Sequence, residues 1–253
     1  KAKEVLEPII SKTPIVHAGK IHENLYIKSE NLQGTGAFKL RGAYFKLSNL
    51  SEEEKKKGVI AASAGNHAQG VAYSCMKMGI KGTIVMPKTA PLSKIEATRS
   101  YGVNVELQGD TFNDAYEYAK NLQEITGAVF IEPFNDEDVI AGQGTIGLEI
   151  LEKMLDVDTV IVPIGGGGLI SGIATAIKSI KPSCKVIGVQ SENAPSMKRS
   201  LEEGKIIQLD SVNTIADGIA VKTPGTLTYE ICKQYVDEVV TVNEEEIAAA
   251  ILV

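Results

Sequence analysis

Thr159-Val160-Ile161-Val162-Pro163-Ile164-Gly165-Gly166-Gly167-Gly168-Leu169-Ile170-Ser171-Gly172 joins an apolar strand to the start of a helix through four consecutive glycines. Glycine costs folding entropy, so four in a row weaken an element unless the backbone conformation is needed. Positive φ angles bring successive N–H groups toward an anion, and the dipole of the following helix adds to their attraction. The run therefore reads as a phosphate cradle. It lacks the Lys-Ser or Lys-Thr ending of a nucleotide-binding P-loop. It also lacks the separated glycines and downstream acid of a dinucleotide site. A tight strand-to-helix turn is the ordinary alternative.

Outward from this stretch, strand and helix alternate. Strands are predicted over Val59–Ala62, Gly82–Met86, Val103–Leu107, Thr159–Pro163 and Lys185–Gln190. Helices are predicted over Ala68–Met78, Leu92–Tyr101, Phe112–Thr126, Val139–Met154 and Leu169–Ile180. This rhythm indicates an α/β fold with parallel sheet covered by helices. The strands are continuously apolar rather than alternating, which predicts burial on both faces. Ser51 and Glu54 form a capping-box pattern closed by Gly58, so the intervening charge run reads as a short solvated helix.

The chain has 253 residues, 43% hydrophobic and 23% charged, with a formal net charge of −6. That is room for one large or two smaller domains. The acidic balance and the lack of a basic stripe argue against nucleic acid. No apolar run approaches the roughly 20 residues that span a bilayer, so no membrane association is expected. Cys75, Cys184 and Cys232 are too widely spaced for a disulfide framework or a metal knuckle and read as small buried hydrophobes. An amphipathic helix begins at Asn243 and the chain stops within it at Val253, so a C-terminal continuation is expected.

Two further segments carry chemistry. Ser63-Ala64-Gly65-Asn66-His67-Ala68-Gln69-Gly70 follows a strand and opens a helix, at the carboxyl end where α/β sheets bind ligands. Its amides and the Ser63 hydroxyl suit a carboxylate, and Asn66 suits a ring hydroxyl or carbonyl. Helix capping by Ser63 or Asn66 is the ordinary alternative. Lys39 stands in Gly36-Ala37-Phe38-Lys39-Leu40-Arg41-Gly42-Ala43, among small and aromatic neighbours. An average lysine there is a surface residue. A desolvated one has a lowered pKa and an amine free for Schiff-base chemistry.

The segments GAFKLRGA, SAGNHAQG and PIGGGGLISG resemble three motifs of the fold-type II pyridoxal-phosphate enzymes, and within them most closely the threonine dehydratases (threonine ammonia-lyases). VMPKTAPLSK, VIAGQGTIGLEI, VIGVQSEN and IADGIAV are similar to that family in the same order, so the resemblance runs along the whole chain. It implies two parallel-rich α/β lobes with pyridoxal 5'-phosphate between them. The small lobe would comprise residues 50–138 and the large one 1–49 plus 139–253, C-terminally incomplete. Lys39 would carry the cofactor covalently and act as the base at the substrate Cα. Phe38 would pack beside the cofactor, Asn66 would bond its ring hydroxyl, and Gly218 would lie near the ring. Gly165, Gly166, Gly167, Gly168 and Leu169 would hold the phosphate. Ser63, Ala64, Gly65, Asn66 and His67 would bind the substrate.

The implied reaction is deamination of L-threonine to 2-oxobutanoate and ammonia, and of L-serine to pyruvate, by a cytoplasmic homodimer or homotetramer. The resemblance leaves isoleucine biosynthesis and threonine catabolism equally open as its setting. A serine dehydratase or a serine racemase on the same fold is the alternative, as is a cofactor-binding chain without turnover. Racemases of this fold use a serine as the far-face acid where this chain has Ala64. They also bind a divalent cation at an acidic cluster. Gln190 replaces a key acid of that cluster here and Glu192 reads as solvent-facing, so no metal is expected.

Overall fold

A computed structural model describes residues Lys1–Val253. Along the chain run α1 (Ala2–Leu6), β1 (Ile15–His17), β2 (Tyr26–Lys28), α2 (Lys39–Ser48), α3 (Glu52–Lys57), β3 (Val59–Ala62), α4 (Asn66–Met78), β4 (Gly82–Met86), α5 (Leu92–Arg99), β5 (Asn104–Leu107), α6 (Phe112–Thr126) and β6 (Val129–Phe130). Then come α7 (Glu137–Lys153), β7 (Thr159–Pro163), α8 (Gly168–Ile180), β8 (Lys185–Ser191), α9 (Ser196–Glu203), α10 (Thr226–Tyr235), β9 (Glu238–Val242) and α11 (Glu244–Ile251). The alternation expected from the sequence is present, and the parallel strands form two separate sheets. No helix is long and apolar enough to cross a membrane.

The chain divides into two compact units. The first comprises Lys1–Ser11 and Glu30–Pro133; the second comprises Lys12–Ser29 and Phe134–Val253. The resemblance places residues 1–49 with the later lobe, whereas in this division residues 1–11 and 30–49 go with the first unit. For residues 30–49 the reason is α2: its Ala43 and Leu47 share one apolar cluster with Val71 and Cys75 of α4 and with Val59, Ala61 and Ile84 of the sheet. Gly70 makes the fit possible, since a Cβ there would lie 3.1 Å from the backbone of Lys39 and Leu40. Arg41, fully buried, is fixed by a two-pronged bond to Glu30, Nε and Nη2 each donating at 2.8 Å.

The first unit is built on a parallel sheet in the order β5-β4-β3-β6. Its strand order reverses between β3 and β6, and such a reversal opens a crevice at the carboxyl ends of the two strands. All four residues of β3 are buried, as a continuously apolar central strand should be. Helix termini follow their local chemistry. Ser51 and Glu54 form a reciprocal capping box on α3, as do Thr111 and Asp114 on α6. Gly79 and Gly127 close α4 and α6 in the left-handed region.

The second unit holds the parallel sheet β7-β8-β9 and the antiparallel pair β1-β2. Here the expectation of burial on both faces fails for β7, whose exposure alternates and leaves Ile161 60% exposed. Thr159, Ile161 and Pro163 point to one face of the sheet and Val160 and Val162 to the other, so only the second face of β7 is covered. α7 and α8 approach closely through Gly144 and Gly172; a Cβ at Gly144 would sit 2.8 Å from the Gly172 carbonyl oxygen. All three cysteines are buried and free, and burial pushes the Cys75 and Cys232 thiols up to about 12.

Candidate active site

In the first unit the chemistry-bearing groups gather at the strand reversal. The loop after β3 carries Ser63 to His67, and the segment Ile131-Glu132-Pro133 leaves β6 beside it. Lys39 is the first residue of α2, with Phe38 at the cap position. Its Nζ donates to the carbonyl oxygen of Pro133 at 2.7 Å and lies 5.4 Å from the centroid of the Phe38 ring. Desolvation lowers the pKa of this amine from 10.5 to about 8. Lys39 is thus not the surface lysine that an average residue of its type would be. A neutral amine is accessible near physiological pH, which is the state a nucleophile or base requires.

His67 is buried, at 4% exposure, and its Nε2 lies 2.9 Å from the Ile131 carbonyl oxygen. Burial, with the nearby Lys39 charge added, lowers its pKa from 6.5 to about 3. The ring is therefore neutral. A carbonyl can only accept, so the proton sits on Nε2, and Nδ1 presents a buried lone pair with no partner in the chain. Neither Ser63 nor Asn66 caps α4. The Ser63 hydroxyl instead accepts from Gly65 N–H at 3.2 Å. Asn66 is exposed on the first turn, its side chain free of internal bonds. Ala64 and Gly65 are half-buried beside it.

In the second unit the four glycines lead from β7 into α8. Gly166, Gly167 and Gly168 are buried and Gly167 has φ +97°. Their lack of side chains is enforced by packing. A Cβ at Gly166 would strike the Phe134 ring, one at Gly168 would lie 2.8 Å from Phe134 Cβ, and one at Gly167 would lie 2.7 Å from Met197 Cε and 2.8 Å from Thr228 Cβ. No side chain caps α8, and the first amide past Ile164 to reach a backbone carbonyl is that of Ser171, bonded to Gly167 at 2.9 Å. The amides from Gly165 to Ile170 are left as a row of donors. Buried N–H groups are almost always paired, so such a row fits an anion bound across it. Leu169 borders the row, half-buried. Gly218 comes to it through the backbone: a Cβ on Gly165 would meet the Gly218 carbonyl oxygen at 3.5 Å.

The residues expected from sequence thus form two sets, one in each unit. Lys39, Phe38 and the loop 63–67 belong to the first; Gly165 to Leu169 and Gly218 belong to the second. The groups suit pyridoxal phosphate: an amine with a lowered pKa for its aldehyde, and unpaired buried amides for its phosphate. Sequence reasoning missed Ile131, Pro133, Phe134 and Thr228. Two of these act through backbone carbonyls, which any residue type supplies; the only available signal was the Pro133-Phe134-Asn135-Asp136 punctuation after β6. Gln190 has a structural place in the second unit. It is wholly buried, donating to the Ile164 carbonyl at 3.2 Å and accepting from Lys198 N–H at 2.9 Å, while Glu192 is exposed.

Comparison with known proteins places the chain in a family. A family model described as pyridoxal-phosphate dependent enzyme matches residues 6–252. An L-threonine ammonia-lyase of Thermotoga maritima is 58% identical over 100% of this chain and 64% of its own length. The chain therefore spans about two thirds of that relative. The solved structure of processed threonine deaminase isoform 2 from Solanum lycopersicum superposes with a TM-score of 0.96 at 46% identity, covering 98% of this chain and 73% of that one. Maize serine racemase superposes with a TM-score of 0.96 at 40% identity, covering 99% and 77%. With the match running from near one end of the chain to the other, this protein belongs to the pyridoxal-phosphate dependent enzymes of fold type II.

Proposed function

We propose that the protein deaminates L-threonine to 2-oxobutanoate and ammonia, with L-serine as a second substrate giving pyruvate. The observation that carries this reading is the desolvated amine of Lys39, its pKa lowered to about 8, in a chain 58% identical to a threonine ammonia-lyase. Pyridoxal phosphate supplies an electron sink conjugated to the substrate Cα. The chain supplies the rest. Lys39 would hold the cofactor's aldehyde, and its amine would take the proton from the substrate Cα. Asn66, free of internal bonds on the first turn of α4, would bond the ring hydroxyl, and Phe38 would pack beside the cofactor. The amides of Gly165 to Leu169 would hold the phosphate, and Gly218 would lie near the ring. Ser63, Ala64, Gly65, Asn66 and His67 enclose the substrate, with the loop amides facing its carboxylate. Loss of the β-hydroxyl as water, followed by hydrolysis, gives the keto acid and ammonia.

Serine racemisation is the second reading, favoured by the likeness to the maize enzyme. Racemisation needs an acid on the face of Cα opposite Lys39. Ala64 carries none, and His67 holds its only proton in the bond to Ile131. Elimination is therefore favoured. We further propose a homo-oligomer in the cytoplasm.

The deciding experiment combines borohydride reduction, peptide mapping and a keto-acid assay. A pyridoxyl group on Lys39 together with 2-oxobutanoate from L-threonine supports the reading. D-serine from L-serine, without keto acid, supports the racemase. A labelled Lys39 with neither product means that the chain binds the cofactor without turnover. A label elsewhere removes the assignment of Lys39.

A further inference from the structure

The carbonyl of Gly166 is held from two sides. The Thr228 hydroxyl donates to it at 2.6 Å and the Gly225 N–H at 3.2 Å. Thr228 is wholly buried, and its hydroxyl lies farther, 3.1 Å, from the Gly225 carbonyl oxygen. The shorter contact assigns the proton to Gly166. The first turn of α10, which carries Thr228, is itself anchored. Asn135 Oδ1 accepts from Leu227 N–H at 2.9 Å, and Asn135 Nδ2 donates to the Thr226 hydroxyl at 3.2 Å.

This anchoring has a directional effect. The chain contains no cis peptide bond. Across a trans peptide the C=O of one residue and the N–H of the next point in opposite directions. Drawing the Gly166 carbonyl toward α10 therefore turns the Gly167 N–H away from α10. The next plane is set by α8: the Gly167 carbonyl accepts from Ser171 N–H at 2.9 Å, so the Gly168 N–H points out of the helix N-terminus. Both glycines are buried, and neither amide has an acceptor in the chain. Glycine crosses easily between left- and right-handed backbone regions. Without an anchor, the Gly166–Gly167 peptide is free to turn its carbonyl, rather than its N–H, toward a bound anion.

We infer that Thr228 is a positioning residue for the cofactor phosphate, its hydroxyl locking the Gly166–Gly167 peptide so that the Gly167 amide faces the anion. This inference rests on the reading of the glycine loop as the phosphate site under Proposed function.

The test uses the full chain, freed of cofactor and titrated separately with pyridoxal phosphate and with pyridoxal, which keeps the aldehyde and lacks the phosphate. Thr228→Val removes the hydroxyl at nearly constant volume. It is expected to weaken pyridoxal phosphate binding about tenfold, the scale of one lost hydrogen bond to a buried group, and to leave pyridoxal binding unchanged. Thr228→Ser restores the ratio of the two affinities, and the phosphorus resonance of the bound cofactor shifts in the valine variant alone. An unchanged ratio in Thr228→Val, or equal losses for both ligands, overturns the inference, since a merely structural role moves both together. If the valine variant does not fold, Thr228→Ser decides: a preserved ratio supports the hydroxyl's role and a tenfold loss overturns it. A native chain that binds neither ligand at Lys39 instead overturns the reading on which the inference rests.

Discussion

The amine of Lys39 donates to the carbonyl oxygen of Pro133 at 2.7 Å, two residues beyond the Ile131 carbonyl that holds His67 Nε2 at 2.9 Å. One short segment leaving β6 thus sets both the resting position of the amine and the tautomer of the imidazole. Neither acceptor is a charged side chain. A carboxylate in the place of Pro133 would hold Lys39 as an ammonium ion, whereas a carbonyl in a desolvated setting leaves the neutral amine accessible.

Replacement of the amine should therefore abolish chemistry and spare the fold. Lys39→Ala is expected to lower keto-acid formation by about 10⁴ or more, beyond the usual contribution of a general base because covalent attachment is lost as well. Its unfolding midpoint should stay near that of the native chain, since alanine suits the first turn of a helix and removes a desolvated amine. Borohydride labelling and denaturant titration check both points; a variant that retains turnover contradicts the assignment.

The lowered pKa of Lys39 makes a pH prediction. Only the unprotonated amine attacks the aldehyde. The rate of cofactor attachment to the cofactor-free chain should thus rise with pH and level off above about 8, rather than near the ordinary lysine value of 10.5. Stopped-flow absorbance across this range reads the midpoint directly.

His67 should make the fold sensitive to acid. Its folded pKa of about 3 lies below the ordinary 6.5, so between these values the unfolded chain binds a proton that the folded chain refuses. Stability contributed by the neutral ring is present above pH 6.5 and lost as the pH falls toward 3, at up to about 1.4 kcal/mol per pH unit. Thermal melts from pH 7 to pH 4 should show a shallower decline for His67→Gln, whose amide still donates to Ile131. Equal slopes would mean that His67 is protonated in the folded chain.

The buried pair Arg41–Glu30 ties the segment before α2 to the helix that presents Lys39. Glu30→Ala removes the carboxylate that accepts from both Nε and Nη2 of the buried guanidinium, and should cost about 3 kcal/mol by denaturant titration. Glu30→Asp, which keeps the charge, should cost less.

In the glycine loop, Gly167→Ala meets both a left-handed backbone at φ +97° and the side chains of Met197 and Thr228. A loss of about 2 kcal/mol or more is expected from strain and overlap together, with a faster dissociation of the cofactor. Ultrafiltration followed by absorbance measures the latter.

Much of this was legible in the chain itself. The strands Val59–Ala62 and Thr159–Pro163, the helix Phe112–Thr126 and the capping box of α3 are short-range patterns, governed by periodicity and by side chains three or four residues apart. The motifs around Lys39, Asn66 and Gly165 likewise announced an amine, a polar helix start and a flexible anion loop. Other features rest on residues far apart in sequence, and here local chemistry is silent. That Lys39 is desolvated depends on α2 packing against α4 through Gly70. Its acceptor is a backbone carbonyl 94 residues away, and every residue carries a carbonyl. The grouping of α2 depended on which apolar face it found, and the exposure of Ile161 on which face of β7 other elements cover. Four glycines in a row promised freedom of the backbone; only Phe134, Met197 and Thr228, brought against them by the fold, decided how that freedom was used.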